Sequence, residues 1–207
     1  MTVKLAIFDF DGTLANTFPL FVSALRELAA RHGFRHPDSD EQRKLRGMGA
    51  SQVLRELQLP LWRVPAVSAD YRRIMRERIA EIELFPGVGD ALHTLADHRI
   101  ELALATSNTL DNVEAVLGRT LLERFAAVEC GTSLFGKPQR LRRILKDTHC
   151  APDASMYIGD EIRDADAARR VGMRFGAVAW GYTSLAALLE ERPERVFDAP
   201  ADLSGLI

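Results

Sequence analysis

Two carboxylates set two residues apart, directly after a short apolar run, are the chain's strongest chemical signal. Residues 3–8 are apolar and partly β-branched, and they end in Asp9-Phe10-Asp11-Gly12-Thr13. On an extended strand Asp9 and Asp11 would share a face. Where the backbone bends at a strand end, they can address one bound group from different directions, which suits one nucleophile and one general acid/base. Backbone N–H groups from Phe10 to Gly12 could cradle a phosphate there. Three other places add to the set: Thr106-Ser107-Asn108, Gly136-Lys137-Pro138 and Gly159-Asp160. Carboxylates gathered at close range repel one another unless a cation lies between them. Oxygen donors with room for water and phosphate suit Mg²⁺ better than a soft metal. Charged Lys137 cannot be a ligand, but it can pair with phosphate oxygens or with an attacking carboxylate. The metal and Lys137 would together offset the charge that makes a phosphate ester hard for an anion to attack.

These residues need elements that bring them to one edge. Residues 3–8 read as a buried strand with its carboxyl end at the acidic cluster. From Phe18 the pattern turns helical: Phe18, Phe21, Val22, Leu25, Leu28, Ala29 and His32 form one apolar stripe. Thr17 is placed to cap that helix and Gly33 to end it. Shorter helices are predicted at 41–45 and 51–57, and a longer one from Pro65, with no strand among them. Beyond Gly87 the chain alternates. Strands are predicted at 101–105, 126–130, 156–158 and 175–179, and helices near 88–96, 111–117, 138–147 and 162–171. Such alternation predicts an α/β fold, a parallel sheet with helices on both faces. Open parallel sheets bind ligands at the carboxyl ends of their strands, where all four polar places fall.

Composition narrows the function classes. The 207 residues are 47% apolar and 27% charged, with a formal net charge of −2. That is a globular composition with no basic excess for nucleic acid. Cys130 and Cys150 have neither metal spacing nor a disulfide framework, and read as free thiols of a reducing compartment. No apolar run approaches the ~18 residues of a membrane span. The N-terminal residues read as a strand rather than a signal peptide. A cytoplasmic protein without membrane or nucleic-acid partners is expected.

Asp9-Phe10-Asp11-Gly12-Thr13-Leu14, Thr106, Lys137-Pro138 and Gly159-Asp160 with Asp164, in that order, resemble the haloacid dehalogenase-like hydrolase superfamily. The chain looks closest to its phosphoglycolate phosphatase-like group. The resemblance implies a Rossmann-like catalytic core, residues 1–14 and 84–207, with a small all-helical cap, residues 15–83, inserted after strand one. It implies a phosphatase acting on a small phosphorylated metabolite, phosphoglycolate-like; a monomer or homodimer is expected, since the cap could pair or stay free. Asp9 would form an aspartyl-phosphate, while Asp11 would protonate the leaving alcohol and then activate water. Thr106 and the Ser107 amide would hold the phosphoryl group, and Lys137 would bridge Asp9 and phosphate. Mg²⁺ would be held by Asp9, the Asp11 main-chain carbonyl and Asp160, with Asp164 behind it. Asn16 and Glu161 depart from the group's usual Asp and Ser/Thr. The first bears on the hinge into the cap; the second either adds a metal ligand or faces solvent.

Among cap residues, Arg46 in the Arg46-to-Ser51 loop could bind a substrate carboxylate in forked geometry, or be an exposed helix-end arginine. A sugar-phosphate mutase, β-phosphoglucomutase-like, would use the same core and is the alternative. A dehalogenase has no use for the Asp11 acid/base, and a phospho-accepting signalling module would need an acid after its third strand, where Cys130-Gly131 stands.

Overall fold

The computed structural model describes residues 3–131 and 136–207. In chain order the elements are β1 (Leu5–Phe8), α1 (Phe18–His32), α2 (Ser39–Leu45), α3 (Ala50–Glu56), α4 (Val64–Glu77), α5 (Val88–Asp97), β2 (Glu101–Thr106), α6 (Leu110–Leu117), α7 (Arg119–Leu122), β3 (Phe125–Cys130), α8 (Lys137–Asp147), β4 (Ser155–Gly159), α9 (Ile162–Val171), β5 (Arg174–Val178), α10 (Leu185–Glu190) and β6 (Arg195–Phe197). The strands form one parallel sheet in the order β3-β2-β1-β4-β5-β6.

The central strand β1 is buried along its whole length. Its side chains alternate between two cores, as the pleat requires. Ala6 and Phe8 join Leu92, Leu95, Leu203 and Leu206 on the face covered by α5 and the C-terminal turn. Leu5 and Ile7 meet Leu141, Ile144, Ala168 and Leu188 on the face covered by α8, α9 and α10. A strand covered on both faces reads as a continuous apolar run, which is why residues 5–8 carry no polar alternation. Burying a side chain such as Ile7 or Phe8 contributes about 1.5–3 kcal/mol, so β1 is an anchored platform for the acidic loop at its carboxyl end.

Between β1 and α5 the named elements are helical. Helix α1 ends at Gly33, whose φ of +63° places it in the left-handed region that glycine tolerates. Thr17 does stand at its N-cap, but its side chain makes no cap bond. The hydroxyl pairs instead with Tyr182 Oη at 2.7 Å. Helix α2 starts two residues before the sequence pattern predicts, because Asp38 and Glu41 close a capping box. The chain leaves and re-enters the sheet side by side: Asn16 N–H donates to Glu83 O at 2.9 Å, and Phe85 N–H to Leu14 O at 3.0 Å. Three short elements, α7, α10 and β6, had no periodicity long enough to predict them.

Candidate active site

The strand order reverses at β1, with β2 and β3 on one side and β4 to β6 on the other. A crevice forms at the carboxyl ends of strands at such a point. Asp9 leaves β1 there and Thr106 ends β2; Asp160 follows β4, while Lys137 and Asp164 come from the first turns of α8 and α9. The fold thus brings into one crevice residues as far apart in sequence as Asp9 and Asp164.

Asp9 is buried. Its Oδ1 accepts from Phe10 N–H at 2.8 Å, and its Oδ2 is ion-paired with Lys137 Nζ. Lys137, equally buried, donates also to Asp164 Oδ1. Asp164 Oδ2 accepts from Glu161 N–H at 3.0 Å, so the same carboxylate caps α9. Asp160 accepts from neutral donors, the Thr13 hydroxyl at 2.9 Å and Tyr182 N–H at 2.8 Å. Oxygens of Asp9, Asp160 and Asp164 lie within 4.8 Å of one another.

Burial opposes every charge in this cluster. It disfavours the Lys137 ammonium, as does nearby Arg163, yet Asp164 and Asp9 outweigh both and the pKa of Lys137 is raised. Burial pushes Asp164 up to about 6 although Lys137 pulls it down. Asp160 is raised well above the usual carboxylate range, by burial first and then by Glu161, Asp164 and Asp9.

Asp11 stands apart from this trio. Asn108 Nδ2 donates to both of its carboxylate oxygens at 3.1 Å. Asn108 is itself oriented by Thr109 N–H at 2.9 Å and Asn112 Nδ2 at 3.0 Å, both donating to its Oδ1. Burial, then the charge of Asp9, raises Asp11 to about 7. Two carboxylates from one loop therefore occupy distinct environments, one salt-bridged to an ammonium and one held by an amide.

Several predicted site residues serve otherwise than expected. Phe10 and Gly12 were expected to lend amides to a phosphate. The Phe10 N–H is engaged by Asp9 Oδ1, and the Gly12 N–H by Ala15 O at 2.9 Å. Gly12 is needed for a different reason: at φ +77° a Cβ would lie 2.2 Å from Asp160 Oδ2. Arg46 is neither an exposed arginine nor a free fork for a carboxylate. Its Nε and Nη2 donate to the carbonyls of Tyr182 and Gly181, each at 2.9 Å, and it packs over the Phe18 ring. Half-buried Glu161 pairs with Arg163, and its charge still bears on the trio, raising Asp160 and Asp164. Thr106 is buried, its oxygen accepting from Asn108 N–H at 3.0 Å, which leaves its own O–H to donate elsewhere. Ser107 is half-buried beside it. Sequence reasoning missed Thr13, Gly181 and Tyr182, which surround Asp160. A Cβ at Gly181 would come 2.1 Å from Asp160 Cβ. The signal was available, since residues 180–183 follow β5, another strand whose carboxyl end faces the same edge.

The donor set fits a hard divalent cation. In the trio three buried carboxylates face one ammonium, and the crowding that raises Asp160 and Asp164 is what a bound cation would relieve. The donors are all oxygen, as Mg²⁺ prefers. Among the described residues, Asp9, Asp160 and Asp164 form the group of metal-ligating type.

Known proteins share this sequence pattern and fold. Residues 6–178 match the family model of haloacid dehalogenase-like hydrolases. The chain is 33% identical to a phosphoglycolate phosphatase of Synechococcus elongatus, over 95% of this chain and 93% of that protein. A crystal structure from Lactobacillus plantarum, provisionally assigned as a phosphoglycolate phosphatase, superposes with a TM-score of 0.84 at 27% identity, covering all of both chains. CbbY of Rhodobacter sphaeroides, solved in complex with phosphate, gives 0.74 at 26% identity, covering 97% of this chain and 96% of that one. The chain belongs to the haloacid dehalogenase-like hydrolase family, in its phosphoglycolate phosphatase-like group.

Proposed function

We propose that this phosphatase hydrolyses a small organic phosphomonoester through covalent phosphorylation of Asp9. The reading is carried by one observation: Asp9 is fixed by Lys137 within an acidic trio, while Asp11, from the same loop, is held outside it by Asn108. An Asp9 Oδ attacks phosphorus as the ester P–O bond breaks, and Asp11 delivers its proton to the leaving alcohol oxygen. Asp11, now a carboxylate, takes a proton from the water that attacks the acyl phosphate. Inorganic phosphate leaves and the Asp9 carboxylate is regenerated. Thr106 donates its hydroxyl to a phosphoryl oxygen, with the Ser107 amide beside it. Lys137 holds Asp9 in place and offsets charge on the phosphoryl group.

Asp9, Asp160 and the Asp11 main-chain carbonyl would hold Mg²⁺, with Asp164 orienting Lys137 as it does already. The bound ion would supply charge neutralisation at the transferring phosphoryl group. Residues 15–83 act as a cap over this core, hinged where segments 14–16 and 83–85 run side by side, with Arg46 as a latch. The protein works in the cytoplasm as a monomer or homodimer, and no helix among the described residues is long and apolar enough to cross a membrane.

The test is Asp9→Asn. Mg²⁺-dependent phosphate release should be abolished, and the phosphoryl adduct trapped by acid quench in the wild type should be missing from its mass spectrum. Full phosphate release by Asp9→Asn would end this reading. Phosphoglycolate, the substrate named for the Synechococcus relative, is the reference compound.

A further inference from the structure

The helices α1 to α4 enclose a cavity of about 280 Å³ that includes Asp11 in its wall. Its size is near the lower end of small-molecule sites, ~300–1,000 Å³. The wall has two parts. Asp11, Ser107, Asn108 and Tyr182 belong to the reaction site, and Arg72 lies within reach of the Asp11 charge. The rest is aliphatic and aromatic, with Phe21, Leu25, Phe34, Val53, Leu54 and Val67 as its main surfaces. Phe21, Val53, Leu54 and Val67 are only half-buried. They leave apolar surface wet inside a helical bundle, which a ligand with an apolar body would cover.

A second observation points the same way. The hydroxyl of Tyr71, another wall residue, is buried beside the Thr17 and Tyr182 hydroxyls and makes no well-formed hydrogen bond among the described residues. The nearby Thr17 and Tyr182 hydroxyls pair with each other instead. A buried donor left unpaired is unfavourable, and an acceptor oxygen on a bound molecule would satisfy it. Of the guanidinium groups in the wall, Arg46 is engaged by two backbone carbonyls and Arg163 by Glu161, so a carboxylate on the body would turn to Arg72 beside Asp11.

Resting on the phosphatase reading above, we propose that the substrate is a phosphomonoester with an apolar body, an alkyl or aryl alcohol carrying an oxygen near the ester for Tyr71.

The test is a series of n-alkyl phosphates, ethyl, butyl, hexyl and octyl, assayed for Mg²⁺-dependent phosphate release beside phosphoglycolate and p-nitrophenyl phosphate. Burying a methylene fully is worth up to about fourfold, so kcat/KM should rise at least about tenfold from ethyl to hexyl. Hexyl phosphate should also exceed phosphoglycolate. A flat or falling series with phosphoglycolate preferred overturns the apolar body and leaves the phosphatase standing. Turnover of no ester at all overturns both. Val53→Trp and Leu54→Trp fill the cavity, and in variants that fold by circular dichroism the hexyl-to-ethyl ratio should drop at least about fivefold. An unchanged ratio in a folded variant overturns the assignment. Where a variant does not fold, the wild-type series decides.

Discussion

Replacing Lys137 with methionine removes the one ammonium in the buried acidic trio and keeps most of its volume. Nζ bridges Asp9 Oδ2 and Asp164 Oδ1, and all three side chains are at most 2% exposed. Solvent reaches little of any of them, and Arg163 is the cation left nearby. Breaking a buried pair by deleting one partner typically costs about 3–5 kcal/mol, because the remaining charges are left uncompensated. In a chain of this size each kcal/mol shifts Tm by about 2–4 °C, so the variant should melt roughly 6–20 °C below wild type. Thermal and urea unfolding in EDTA at neutral pH measure this. The pH dependence has a definite sign. Asp164 is raised to about 6 even with Lys137 present, and loss of the ammonium removes the influence that holds it down. A carboxyl with a folded pKa above its unfolded value gives stability below the unfolded value, lost as pH rises through the folded one. The gap between variant and wild type should therefore narrow as pH falls from neutrality through 6 toward 4. Millimolar Mg²⁺ should recover more stability in the variant than in wild type. A loss below about 1 kcal/mol, typical of exposed pairs, would refute the account, and so would a gap that widens toward acid.

Three further outcomes are expected. Asp11→Asn should lower kcat by about 10²–10⁴-fold, the usual contribution of a general acid/base, and the Asp9 phosphoryl adduct should outlast that of wild type after quench. Gly12→Ala should destabilise by more than about 1–3 kcal/mol in urea unfolding, because it combines positive φ with a Cβ 2.2 Å from Asp160 Oδ2. Arg46→Ala removes two guanidinium bonds to the carbonyls of Tyr182 and Gly181. Hydrogen exchange should quicken in α2 and around residues 181–184, with KM altered more than the chemical step.

Much of the catalytic core was legible from residue order alone. A strand buried on both faces must be apolar throughout, so residues 5–8 announced themselves. The polar residues at the ends of successive strands had to meet at one edge, because parallel strands all end on the same side. Gly12 could be picked out, but its reason could not. Its amide is occupied by Ala15, and the glycine is required by the approach of Asp160, which lies far away in sequence. The same holds for Thr13, Gly181 and Tyr182, whose relation to Asp160 exists only once β4 and β5 lie side by side.

By itself the sequence determined the α/β alternation, the acidic loop after β1 and the lysine and aspartates that join it, since these come from periodicity and strand-end chemistry within short windows. Only the tertiary structure decided how the charges divide. It placed Asp9 against Lys137 and Asp11 against Asn108, turned Arg46 from a candidate ligand into a tie between α2 and the loop after β5, and left an apolar cavity beside Asp11. Each of these depends on distances between elements remote in sequence, and hydrophobic pattern carries no information about such distances.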